Sequence, residues 1–163
     1  MYIENKYWNN YIGDSDDSLT LVEHLAGKQR EEIPLGEILS DFGLDKLHDD
    51  FRNPDVPLVF VNSEGWETDI HYAINLITDL AALLLECKVS GSVNLSELFG
   101  DELETTASDV RIVASPEEHE LINKVLMDFV SAPLTYDLSE ICSEEEMSEM
   151  AALCGELRKE LYG

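Results

Sequence analysis

His71, Asn75 and Asp79 recur at a spacing of four residues, so a helix through them stacks all three on one side. A carboxylate, an amide and an imidazole in such a stack are the ingredients of a metal site or a proton relay. Buried polar groups satisfied by hydrogen bonds are the commoner occupants of such a stripe. An enzyme using His71 and Asp79 is thus one reading, and it predicts bound metal and loss of activity when His71 is changed.

Other chemistry is harder to build. Asp14, Asp16 and Ser18 alternate as the first oxygen ligands of a calcium loop do, but Leu19 and Leu25 stand where that loop needs glycine and glutamate. A helix cap explains the same residues, with Asp17 or Ser18 as the capping side chain. Ser15 lies between aspartates, which oppose an oxyanion. Gly27-Lys28-Gln29 lacks the hydroxyl and upstream glycine of a phosphate loop. His24, His48, His71 and His119 have no second ligand at zinc spacing, and Asp45, not glutamate, stands three residues before His48. Cys87, Cys142 and Cys154 are odd in number and lack metal spacing, which reads as reduced thiols. No cofactor is expected.

The elements that must carry these residues are mainly helical. Tyr2, Tyr7, Trp8 and Tyr11 suggest an extended segment over residues 1–12. Leu21, Val22, Leu25 and Ala26 line one helix that Gly27 ends, and Pro34 opens a second along Leu35, Ile38, Leu39 and Phe42. Leu44, Leu47 and Phe51 predict a further short helix. Leu58–Val61 reads as a buried strand, followed by a turn through Gly65. The longest helix is predicted from about Glu67 to Lys88, with so narrow a polar stripe that it must be central to the core. Asn94 with Glu97 starts a short helix, residues 101–108 read as loop, and Val110–Ala114 alternates like a strand. Ser115-Pro116-Glu117-Glu118 and Ser143 with Glu146 are capping boxes that open the last two helices. No internal repeat is evident. The expected fold is one α+β domain over residues 1–163, with six to seven helices around a long central helix and a small β element.

Charge dominates the composition. The 163 residues include 35 acidic and 10 basic ones, for a net charge of −25, yet 44% are hydrophobic. That apolar content builds a core, so the charge belongs to the surface of a folded body rather than to a disordered tail. Such a field repels nucleic acid and anionic membranes and attracts basic proteins. No Lys or Arg falls between Arg52 and Lys88, nor between Lys124 and Arg158. The second gap holds Asp137, Glu140, Glu144, Glu145 and Glu149 among its acids. Complementing a helix N-terminus accounts for two or three of them, not for the whole basic-free stretch. The candidate partner-binding residues are therefore Asp14, Asp16, Asp17, Asp137, Glu140, Glu144, Glu145 and Glu149. Glu64 and Trp66 join them as an acidic turn with an aromatic anchor; Trp66 is as well suited to covering the core. The start of the chain lacks the basic residues and apolar run of a secretory leader, and no segment is long and apolar enough for a bilayer, which points to the cytoplasm.

Tyr7-Trp8-Asn9-Asn10-Tyr11-Ile12-Gly13-Asp14-Ser15-Asp16-Asp17-Ser18-Leu19-Thr20-Leu21-Val22 resembles bacterial immunity proteins of polymorphic toxin and contact-dependent growth inhibition systems, as does Ile33-Pro34-Leu35-Gly36-Glu37-Ile38-Leu39. The likeness covers the first third best and is general beyond it. It implies a cytoplasmic, non-enzymatic inhibitor that binds one cognate toxin domain. Many such toxins are nucleases, often acting on transfer RNA, whose basic surface an acidic inhibitor can occupy. An acidic adaptor, or a nucleic-acid mimic that regulates a basic nucleic-acid-binding protein, is the alternative binding role.

Overall fold

The computed structural model describes residues 1–47, 50–54, 58–62, 64–100 and 109–163. Six α-helices and five short strands alternate along them. The fold class is the expected one, α+β and mainly helical.

Helix α3 (Ala73–Ser90) is the axis of the core. Every residue from Ala73 to Glu86 is buried, and Leu76, Ile77, Leu80 and Leu83 are fully so. Burial of each such side chain contributes about 1.5–3 kcal/mol. Helices α5 (Pro116–Ser131) and α6 (Glu144–Tyr162) pack on each other and on α3, and α1 (Asp16–Gly27) packs on its other side. Ser115 and Ser143 close full capping boxes with Glu118 and Glu146, as their spacing predicts.

The predicted helix from Glu67 begins too early. Glu67–Ile70 forms β3, paired antiparallel with β2 (Leu58–Val61), and α3 starts only at Ala73. His71 therefore precedes α3, so His71, Asn75 and Asp79 do not share one helix. Residues 1–12 are not extended either. Ile3–Asn5 is a 3-10 turn, and Asn9, Tyr11 and Gly13 all have positive φ, which folds the segment into tight turns. The cap of α1 is Ser15, in a reciprocal box with Ser18, rather than Asp17 or Ser18. Pro34 ends β1 (Glu32–Pro34), and α2 (Leu35–Asp41) follows at once. The next short helix is a 3-10 turn over Leu44–Leu47. His48 and the 101–108 loop lie outside the described residues.

Strand β5 (Asp109–Val113) lies at the centre of a three-stranded sheet, parallel to β1 and antiparallel to β4 (Val93–Asn94). Both flanking strands run directly into a short helix, β1 into α2 and β4 into α4 (Leu95–Phe99). Ile33-Pro34-Leu35 with Glu37-Ile38-Leu39, and Val93-Asn94-Leu95 with Glu97-Leu98-Phe99, share this pattern. The likeness is local, since β1 runs parallel to β5 and β4 antiparallel to it.

Candidate functional site

The polar stripe of α3 holds the N-terminal segment. Glu86 accepts from the Ile3 amide at 3.0 Å through one oxygen and from the Ser90 hydroxyl at 2.5 Å through the other. Asp79 accepts from the Gly13 amide at 2.9 Å and from the Ser18 hydroxyl at 2.5 Å. Asp17 is buried and reaches back across α1 to the start of α3. It accepts from the amides of His71 (2.9 Å) and Tyr72 (3.0 Å) and from the Asn75 side chain (3.2 Å). The residue before α3, Tyr72, supplies no side-chain cap, so Asp17 caps that helix from outside its own sequence. The stripe is thus a row of satisfied buried groups.

This corrects Asp17 as a surface candidate: its oxygens are spent inside the fold. Ser18 is likewise turned inward, away from the exposed Asp14 and Asp16, so the alternating calcium ligands are split between core and solvent. Among the described residues no three His, Cys, Asp or Glu side chains group as a metal site. His24 pairs with Asp41 at 2.8 Å, and His119 bonds the Tyr162 hydroxyl at 2.9 Å.

Burial pushes the Asp79 carboxyl up to about 7, against the lowering bonds from Ser18 and Gly13, and the charges of Asp17 and Asp14 add to the rise. Its folded pKa lies above its ordinary value of 3.8, so it stabilises the protein fully below pH 4 and loses that contribution as pH rises through 7. Between pH 5 and 8 the loss is about 2–3 kcal/mol. Urea midpoints measured across that range should fall as pH rises, and Asp79→Asn should flatten the trend. A wild-type midpoint that does not move with pH would refute this role for Asp79.

Solvent-facing acids gather from two distant parts of the sequence. Tyr11 donates its hydroxyl to Glu149, and that bond, burial and the charges of Glu149, Glu146 and Glu145 push the phenol up to about 12. Burial, then Glu146 and Asp14, raise the Cys142 thiol. Burial, then Asp137, Glu140, Cys142 and Asp17, raise Tyr72. Tyr11, Tyr72 and Cys142 therefore mark the seam where the Asp14–Asp17 turn meets the stretch from Asp137 to Glu149. Asp14, Glu140, Glu145 and Glu149 are exposed there, and their chain neighbours Asp16 and Glu144 are exposed as well. Asp137 is half-buried; burial first, then Glu140 and Asp50, push it up to about 6, and its Oδ1 has no hydrogen-bond partner. Ile141 stands 68% exposed within the acids, an apolar side chain that the charge pattern concealed.

At least half of the ten Lys and Arg residues, among them Lys6, Lys28, Arg30, Arg52 and Arg111, are tied up in ion pairs with carboxylates. Glu64 and Trp66 lie elsewhere, at the tip of the β2–β3 hairpin, and Trp66 is 68% exposed rather than a cover for the core.

No helix among the described residues is long and apolar enough to cross a membrane. Residues 2–161 match the family model described as Immunity protein 68. No curated protein and no solved structure matches the chain.

Proposed function

Because the chain belongs to this family of immunity proteins, we propose that it neutralises a cognate toxin domain with a basic surface, a nuclease acting on RNA in the first instance. The toxin is delivered by contact-dependent inhibition and met in the cytoplasm. The inhibitor acts by occupancy, without turnover. A nuclease must present cations to phosphates, and an acidic face laid over them blocks substrate entry. What supports this reading is that exposed acids of two distant stretches, Asp14 on one and Glu140, Glu145 and Glu149 on the other, lie around Tyr11, Tyr72 and Cys142. A field of that sign also speeds capture, which counts when the toxin must be stopped before it cuts.

The test is co-expression with the polypeptide encoded immediately upstream. A stable complex, rescued growth and loss of nuclease activity are expected; no complex and no rescue would sink the reading. Replacing Glu140, Glu144 and Glu145 together by Gln should slow association about tenfold at low salt. The difference should vanish near 0.5 M salt, where charges further apart than a few ångströms are screened. Stopped-flow association rates at both salt levels check it, and a triple variant as fast as wild type at low salt would remove these residues from the contact.

A further inference from the structure

The β2–β3 hairpin carries apolar surface that the body of the protein does not use. Its inner side packs: Leu58 and Phe60 are buried, and Phe60 stacks on Phe42 at 4.6 Å between ring centres. The outer side does not. Val59 and Val61 are 41% and 53% exposed. The register sets Val59 opposite Asp69 and Val61 opposite Glu67, so each exposed valine has a carboxylate beside it on the same face. At the tip, strand alternation puts Trp66 on the side of Phe60, but beyond the last residue that packs.

The tip is built to hold that indole out. Asn62 donates its amide to the Trp66 carbonyl at 3.0 Å, while its side-chain oxygen accepts from the amides of Glu64 (3.0 Å) and Trp66 (2.9 Å). Gly65 takes the left-handed conformation the turn needs, with φ of +86°. An exposed tryptophan on a fixed backbone loses little further freedom on binding, and tryptophan is enriched among the residues that dominate interface energy.

We propose that the tip and outer face of this hairpin form the apolar anchor of the toxin interface, seated in a pocket of the toxin that is rimmed by Lys and Arg. Charge selects the occupant. Glu64, Glu67 and Asp69 rim the exposed apolar groups, and the sequence holds no Lys or Arg from 53 to 87. A basic surface complements that rim, whereas a second copy would set carboxylates against carboxylates. The hairpin leads through His71 and Tyr72 onto the acidic face, so one partner can engage both. The assignment rests on the immunity reading and adds to it: acids set the rate of encounter, and the hairpin sets how long the complex lasts.

The experiment measures Kd for the purified upstream-encoded toxin polypeptide with wild type, with Trp66→Ala plus Val61→Lys, and with the Glu140, Glu144, Glu145→Gln triple. All the altered side chains are exposed, so circular dichroism should stay at the wild-type spectrum; the triple, which removes two acids from the first turn of α6, should lose only about 1 kcal/mol of stability. The hairpin double is expected to weaken binding at least 100-fold, mostly through faster dissociation, while the triple mainly slows association. A hairpin double within threefold of wild type, with wild type binding tightly, would overturn the anchor and leave the immunity function standing. Failure of wild type itself to bind or rescue would bring down both. Sedimentation of the isolated protein tests the other occupant: a dimer that Val61→Lys dissolves would reassign the face to a second copy.

Discussion

Gly13→Ala is expected to lower stability by about 3–5 kcal/mol, summing a left-handed backbone with an overfilled core. Gly13 has φ of +76°, where a Cβ costs about 1–2 kcal/mol. That Cβ would also overlap the indole of Trp8, which is buried edge-on against Phe99. The ring cannot withdraw without opening the core, and shifting the backbone instead breaks the Gly13 amide bond to Asp79. Gly43→Ala is the control. Gly43 has a similar φ of +72°, but its Cβ would meet nothing within 4 Å, so only the conformational part should appear, about 1–2 kcal/mol. Urea unfolding of both variants decides the matter: equal losses would show that Trp8 does not press on residue 13. Cells carrying Gly13→Ala should also lose protection, because the turn that presents Asp14 would no longer be held.

Asp17→Ala is expected to cost about 2–3 kcal/mol, since it strands one buried donor and two part-buried ones. Three groups lose their acceptor together: the His71 and Tyr72 amides and the Asn75 side chain. Asp16→Ala, one residue away but exposed, should cost under about 1 kcal/mol through the helix dipole. The pair therefore separates two ways of losing protection. Asp17→Ala should fail by unfolding, visible as a lowered urea midpoint, and Asp16→Ala should keep its midpoint while binding toxin less quickly. A midpoint for Asp17→Ala within 1 kcal/mol of wild type would remove its capping role.

The contrast between these neighbours shows what was legible in the sequence. Local signals were read correctly where the deciding groups are close in the chain: Ser115 with Glu118, Ser143 with Glu146, and the alternation of β5. They misled where a distant partner decides. Ile70, Ala73 and Ile74 keep helical spacing, yet pairing with β2 takes Ile70 into a strand. Asp14, Asp16 and Asp17 are identical in type; only the free amides at the start of α3, more than fifty residues on, draw Asp17 inward. For the candidate surface, the acidic stretches were visible as charge runs, but their meeting at Tyr11, Tyr72 and Cys142 is a tertiary fact. Val59 and Val61 looked like core because a strand with one open face has the same composition as a buried one.

The way residues 2–13 are stitched down sets how much of the chain must be present before the acidic face takes shape. Tyr2 and Tyr7 reach Glu160, Tyr11 reaches Glu149, and Gly13 reaches Asp79. Residues 2–13 are thus fastened both to α3 and to α6, a helix more than a hundred residues further along the chain. Contacts so far apart in the chain form late in folding. A nascent chain exposes Asp14 and Asp16 early but cannot set them in place until α6 has emerged. A chain broken off before residue 149 would carry most of the charge and little of the shape.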